Sequence, residues 1–284
     1  MKIKKTIILF ICIILMLAGI LTLGVSSTSN EPVIVAFGDS LTYAGVFVKN
    51  LNEKYDLNII NAGIGGHSTR DGRARFQSDV LSKNPDIVFI CFGMNDSAKD
   101  YPKYVEINEY RDNLNYFIKT LKNKGVKVIL VTPNYIDEEK YYTRHDIAVF
   151  SPYGGAAAFL DSYIEVIREV AEEQDAYLAD VRTACDAYEN RDDLLTDGTH
   201  CTPLGYSLYS NLMGEKLEEI YFGDINRDGE ISPTDYILIK RHCIGSFKIS
   251  DSYFMHGDIN GNGEIEPTDY IKLKRHILGT YNIK

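Results

Sequence analysis

The chain has 284 residues, 45% of them apolar and 11% aromatic, enough to bury the core of one medium domain plus a small one and too many for a disordered chain. Its net charge of -10, with no block of Lys and Arg beyond the N-terminus, excludes the basic footprint of a nucleic-acid binder. Trp is absent, which leaves the 20 Tyr residues to supply any stacking face for a carbohydrate.

Lys2, Lys4 and Lys5 precede an apolar run over residues 7–25, and the chain then turns abruptly polar at residues 26–30. That order reads as an export signal over residues 1–30. The run is longer than an ordinary signal core, so the same segment also suits an uncleaved membrane anchor. No pair of small residues precedes Cys12, which argues against a lipid-anchored form. Cys91, Cys185, Cys201 and Cys243 remain after the segment. Export would allow their oxidation, and a Cys185–Cys201 bridge would brace the intervening stretch; the alternative is that all four are small buried side chains.

Apolar runs of strand length follow at residues 33–37, 57–61, 87–92, 126–132 and 176–181. Segments of helical periodicity separate or follow them at 43–55, 73–82, 107–123, 157–174 and 203–219. Leu114, Phe117, Ile118 and Leu121 illustrate one apolar helix face. Right-handed crossovers then predict an α/β domain over residues 31–221, a flavodoxin-like parallel five-stranded sheet with helices on both faces.

Four blocks fall just after predicted strands. Gly38-Asp39-Ser40-Leu41 follows the first, Asn61-Ala62-Gly63-Ile64-Gly65-Gly66 the second, Gly93-Met94-Asn95-Asp96 the third, and Asp197-Gly198-Thr199-His200 the fifth. Each alone is ordinary turn chemistry. Together they lie at the carboxyl ends of strands, the rim where open α/β sheets build ligand sites. A serine hydroxyl needs a base and donors for the charge that develops on a substrate carbonyl oxygen. Ser40 is therefore the expected nucleophile, His200 its base and Asp197 the carboxylate that orients the base. The Ser40 and Gly66 backbone N–H groups and the Asn95 amide are the expected oxyanion donors, each worth about 3 kcal/mol to the transition state. His67, directly after Gly66, is expected to be a loop residue facing solvent. His145, His242, His256 and His276 lack a carboxylate three residues away in a strand-end loop.

These blocks resemble those of the SGNH (GDSL-type) hydrolases, a family of esterases, lipases and acetyl-polysaccharide deacetylases, over residues 32–221. The family's invariant serine, glycine, asparagine and histidine match Ser40, Gly66, Asn95 and His200, and its aspartate matches Asp197. No cofactor is expected for catalysis. A long stretch at 133–155 carries Tyr135, Tyr141, Tyr142, Phe150 and Tyr153, aromatics that would stack on sugar rings, line an acyl pocket or pack the loop onto the domain.

The last sixty or so residues hold a duplication. Gly223-Asp224-Ile225-Asn226-Arg227-Asp228-Gly229-Glu230-Ile231 recurs 34 residues later from Gly257, and each copy leads into Pro-Thr-Asp-Tyr-Ile and a Lys-Arg-His run. Oxygen ligands at loop positions 1, 3, 5 and 12, a backbone carbonyl at 7 and Gly at 6 form a calcium pattern. One loop offers Asp224, Asn226, Asp228, Glu230 through its carbonyl, and Asp235; the other offers Asp258, Asn260, Asn262, Glu264 and Asp269. Position 12 is Asp and no convincing helix precedes either loop, so an ordinary EF-hand sensor fits less well.

The duplicated unit, residues 222–284, resembles a type I dockerin, the small all-α calcium-dependent plug that docks enzymes onto cohesin modules of a cellulosome scaffold. That resemblance implies two structural Ca2+ ions and a cohesin-binding surface at Pro233, Thr234, Lys240 and Arg241, duplicated at Pro267, Thr268, Lys274 and Arg275. The near identity of the halves implies that either face can engage a cohesin. Tyr221-Phe222 leaves essentially no linker. Together the two resemblances imply a secreted esterase acting on acetylated plant polysaccharide such as xylan. A lipase, lysophospholipase or feruloyl-type esterase uses the same triad, and a non-catalytic binding module borne by the dockerin is the alternative of another class.

Overall fold

In the computed structural model, which describes residues 32–283, the apolar runs form strands β1 (Ile34–Gly38), β2 (Ile60–Gly63), β3 (Ile87–Cys91), β4 (Lys127–Val131) and β5 (Tyr177–Ala179). They make one sheet in the order β2-β1-β3-β4-β5, every pair parallel. The predicted export segment lies outside the described residues. Helices α1 (Ser40–Tyr43), α2 (Val46–Tyr55), α3 (Thr69–Asp79), α4 (Ile107–Lys122), α5 (Ala156–Glu173) and α6 (Pro203–Tyr221) connect and follow the strands.

β1 and β3 are buried at every residue, as continuous Val/Ile/Phe runs require when helices cover both faces. Their side chains alternate between two cores. Val35, Phe37, Val88 and Ile90 pack against Phe76 of α3, Phe117 of α4 and Tyr163 of α5. Ile34, Ala36, Ile87 and Phe89 pack on the other side with Phe47 of α2 and Tyr209 of α6, whose rings stack at 5.8 Å. Cys185 and Cys201 are buried in this second core as free thiols. The Cys201 thiol points to Asn134 Oδ1, so the small-buried-residue alternative holds over the bridge for Cys91, Cys185 and Cys201, while Cys243 is only half-buried.

Three boundaries differ from the sequence expectation. The second strand is Ile60–Gly63, displaced toward the functional glycines, because pairing with β1 defines this half-exposed edge while the apolar Ile59 belongs to the second core. The first helix breaks at Gly45, which takes a left-handed φ of 73° and starts α2. The second begins at Thr69, not Arg73, because Ser68 and Asp71 form a capping box and Gly72 lets the helix press against Phe92. The 133–155 stretch contains short helices at Glu138–Tyr141 and Ile147–Phe150.

Beyond α6, helices α7 (Pro233–Cys243) and α8 (Pro267–Ile277) pack together, with Tyr236 and Tyr270 edge to face at 5.8 Å, around Ile225, Ile239, Ile249, Ile259 and Leu273. Helices do precede both loops: α6, 19 residues long, runs to Tyr221, and a short helix at Phe254–Gly257 leads into the second loop. Arg227, inside the first loop, is buried. Its guanidinium lies 3.7 Å from the Tyr253 ring centre and reaches the Tyr55 carbonyl at the end of α2.

Gly38 ends β1 where α1 folds back on it. A Cβ there would stand 2.2 Å from Thr42 Oγ1 and 2.4 Å from the Cys91 carbonyl oxygen, contacts that only backbone movement relieves. Gly38→Ala is expected to destabilise the fold by about 2–3 kcal/mol, read as a lower urea midpoint at unchanged m-value.

Candidate active site

The turn from β1 into α1 exposes the first residue of the helix. Asp39 caps α1 by accepting the Leu41 N–H at 2.9 Å, and Ser40 follows it at the rim. Across the rim, an antiparallel bridge between Leu195 and Cys201 closes the loop that carries Asp197 and His200. The Thr196 N–H donates to the His200 carbonyl at 2.8 Å within that loop.

His200 Nε2 lies 3.0 Å from Ser40 Oγ, and His200 Nδ1 lies 2.8 Å from Asp197 Oδ2. An ionised Asp197 can only accept, so Nδ1 carries the proton and Nε2 is free to take one from Ser40. Burial alone would raise the Asp197 carboxyl, but the backbone and ring N–H groups of His200 and the Thr199 N–H hold it well below the usual carboxylate range. It is therefore ionised across the working pH range of an esterase.

Gly66 adopts φ 75°, a left-handed conformation that glycine enters without strain, which turns the chain at the cleft. Asn95 Nδ2 donates to the His67 carbonyl at 3.1 Å and lies 3.4 Å from Asp39 Oδ2. His67 is thus half-buried and not solvent-facing as expected. Its carbonyl orients the Asn95 amide, and burial lowers the proton affinity of its ring. Ser40, Gly66, Asn95 and His200 all line one cleft of about 310 Å³.

Several residues at this cleft escaped sequence reasoning. Arg144 binds Asp197 Oδ2 at 3.1 Å, and His145 Nδ1 pairs with Asp100 Oδ1 at 2.7 Å. The His145 ring stacks on Tyr141 at 3.8 Å, and Tyr101 forms another wall. The carboxylate partner of His145 is 45 residues away, so a search at three-residue spacing cannot find it. Of the five aromatics in the 133–155 stretch only Tyr141 lines the cleft. Tyr135 and Phe150 are buried in the domain, and Tyr153 packs on Phe159.

Under the Asn95 loop, Asp96 is fully buried. It accepts the Thr69 N–H at 2.9 Å and the Thr69 hydroxyl at 2.5 Å, tying the loop to the start of α3. Its Oδ2 has no hydrogen-bond partner among the described residues. Burial pushes both Asp39 and Asp96 up to about 7.

In the duplicated region, Asp224 accepts the N–H groups of Asp228 and Gly229, and Asp235 those of Ile225, Asn226 and Ser232. Asp258 accepts from Gly261, Asn262 and Gly263, and Asp269 from Asn260 and Glu266. These four carboxylates are buried, whereas Asp228, Glu230, Asn262 and Glu264 are exposed. Burial, with the charges of Asp235 and Asp228, pushes Asp224 up to about 6. Carboxylates converging with Asn side chains are oxygen donors of the kind that suit a hard, oxygen-seeking ion. Among the described residues no three His, Cys, Asp or Glu side chains are poised to hold a metal, so Asn and carbonyl oxygens are needed to complete each set. Pro233, Thr234, Lys240, Arg241, Pro267, Thr268, Lys274 and Arg275 are all exposed on α7 and α8.

A β2-β1-β3-β4-β5 sheet with serine, glycine, asparagine and histidine brought together on one rim defines the SGNH class of hydrolases. Residues 36–208 match the GDSL-like Lipase/Acylhydrolase family, and residues 222–278 match the Dockerin type I domain. The chain belongs to the GDSL-like lipase/acylhydrolase family, a carboxylic ester hydrolase followed by a type I dockerin domain of the kind that generally binds calcium and a cohesin. It is similar to the uncharacterized lipoprotein YqeF of Bacillus subtilis, 38% identical over 190 residues that cover 59% of this chain and 77% of that one. Among solved structures it resembles a lipase/acylhydrolase from Enterococcus faecalis, at 28% identity and TM-score 0.58, covering 66% of this chain and 95% of the other. It also resembles the acetyl xylan esterase AlAXEase, at 26% identity and TM-score 0.56, covering 65% and 98%. No helix among the described residues is long and apolar enough to cross a membrane.

Asp96 gives a pH test. Its folded carboxyl titrates at about 7 against 3.8 for the free group, so the folded chain holds the extra proton. The stability this contributes is complete below about pH 4 and is lost as pH climbs through about 7. Asp96→Asn, which never ionises, is expected to gain melting temperature over wild type between pH 5 and pH 8. Scanning calorimetry at the two pH values checks it.

Proposed function

We propose that this chain is a secreted esterase that removes O-acetyl groups from plant cell-wall polysaccharide such as acetylated xylan. The observation that carries the ester-hydrolase chemistry is the unbroken line Ser40 Oγ, His200 Nε2, His200 Nδ1, Asp197 Oδ2, at 3.0 and 2.8 Å. Ser40 Oγ attacks the acetyl carbonyl carbon as its proton passes to His200 Nε2. The carbonyl oxygen becomes an oxyanion held by the Ser40 and Gly66 N–H groups and Asn95 Nδ2. The ester C–O bond breaks, His200 returns the proton to the departing sugar oxygen, and Ser40 is left acetylated. Water, deprotonated by His200, then releases acetate and restores Ser40. No metal or cofactor takes part in these steps.

The likeness to AlAXEase supports the acetyl and xylan assignment, and the dockerin supports docking to a cohesin of a scaffold outside the cell. We divide the chain into an export segment at 1–30, the hydrolase at 31–221 and the dockerin at 222–284. Asp224, Asn226, Asp228, Asp235 and the Glu230 carbonyl would hold one Ca2+, and Asp258, Asn260, Asn262, Asp269 and the Glu264 carbonyl a second. The exposed Pro-Thr and Lys-Arg pairs of α7 and α8 would contact the cohesin.

Acetate release from acetylated xylan, beside short- and long-chain aryl esters, tests the enzyme. Wild type is expected to release acetate and Ser40→Ala to lose at least about 1,000-fold in kcat. Activity confined to long-chain or aromatic esters would keep the hydrolase and overturn the xylan assignment. EDTA is expected to abolish cohesin capture in a pull-down, because so small a core leaves its carboxylates uncompensated. Capture that persists in EDTA would contradict calcium-dependent docking.

A further inference from the structure

We propose that Arg144 is a positioning residue that holds the Asp197–His200 loop in register with Ser40 and whose charge competes with His200 for the Asp197 carboxylate. The inference rests on the catalytic roles assigned above to Ser40, His200 and Asp197.

Arg144 grips Asp197 at two places. Nη1 donates to Oδ2 at 3.1 Å and Nη2 to the backbone carbonyl at 2.8 Å. Both the side chain and the peptide plane of Asp197 are thereby fixed by one rigid fork, a geometry that lysine cannot reproduce. Oδ2 is the same oxygen that receives His200 Nδ1 at 2.8 Å. The Asp197 and His200 side chains are 39% and 41% exposed, so water competes for them and the fork replaces what burial would otherwise supply.

The segment that presents Arg144 is itself stapled to the loop. The Asp137 N–H donates to the Gly198 carbonyl at 3.0 Å, and within the segment a turn from the Arg144 N–H to the Tyr141 carbonyl, at 3.0 Å, sets the direction of Arg144. The next residue, His145, ties the same segment to Asp100 on the Asn95 side of the cleft. Two consecutive side chains therefore hold the base loop and the oxyanion loop on either side of Ser40.

The charge has a separate consequence. The ionisable and charged groups at the His200 cleft are Asp197 on its own loop, Arg144, His145 and Tyr141 on the long segment, Tyr101, Asp100 paired with His145, and Asp39, which caps the helix that begins at Ser40. Of these Arg144 alone is a permanent cation, and it shares the carboxylate that stabilises imidazolium. Without it the whole charge of that carboxylate acts on the imidazolium, while the reaction needs the neutral ring.

The test uses the full chain with 4-nitrophenyl acetate, a substrate independent of the xylan assignment, and pH profiles of kcat and KM for Arg144→Met and Arg144→Lys. Arg144→Met is expected to lower kcat about tenfold with KM within about twofold, and to move the acid limb of kcat/KM upward by a few tenths of a pH unit. Arg144→Lys keeps the charge but loses the fork, so kcat falls while the acid limb stays near wild type. Thermal melts verify folding, and if Arg144→Met fails to fold the lysine variant carries the test. Unchanged kcat in the folded variants, or an effect confined to KM with an unmoved acid limb, would overturn the proposal; the latter would make Arg144 a substrate contact. Ser40→Ala runs alongside. Turnover that survives that substitution would refute the catalytic assignment itself, whereas Ser40-dependent turnover with silent Arg144 variants refutes only this inference.

Discussion

The tight junction between the end of β1 and α1 is the constraint on which the site depends. Gly38 lies so close to Thr42 and to the Cys91 carbonyl that no side chain fits, and this closeness brings Ser40 to the rim one residue after its cap. β3 runs alongside in register, Gly38 opposite Cys91, so the chain that continues into the Asn95 loop leaves the sheet beside the same turn. β2 lies on the other flank with Gly63 opposite Gly38. Arg75 of α3 ties the arrangement together by donating to the Gly38 and Ala62 carbonyls, at or next to the ends of two neighbouring strands. A parallel sheet delivers all its strand ends to one edge, and that edge is where the four blocks meet.

Legibility from sequence followed locality. β1 and β3 could be read because strands covered on both faces carry no polar residue to confuse the period. The four blocks and the duplicated loops stand out because each is written in contiguous residues. What could not be read depends on contacts between distant segments. The edge strand β2 is defined by its partner and not by its own apolarity. Arg144 meets Asp197 across 53 residues, and His145 meets Asp100 across 45. The aromatic stretch at 133–155 drew attention for the right place and a different reason: most of its rings fix the segment, while its Arg and His face the chemistry.

Two buried carboxylates flank the nucleophile from below. Asp39 holds the turn through the Leu41 N–H, and Asp96 holds the Asn95 loop through Thr69, itself tied to Asn113 of α4. Their burial favours the neutral forms near pH 7, which is a cost to folding at alkaline pH. The same burial places rigid polar anchors directly under mobile chemistry, where an apolar residue could not orient an amide. The site thus trades stability for fixed direction at the two positions that must not rotate.

Because α6 runs from the hydrolase core to Tyr221 and Arg227 of the first duplicated loop plugs against Tyr55 and Tyr253, the join behaves as a bracket and not a tether. A flexible tether would let an enzyme sweep a volume around its anchor, with an effective concentration set by tether length. A bracket gives up that reach and gains aim: whatever grips the surfaces of α7 or α8 also dictates which way the cleft at Ser40 faces.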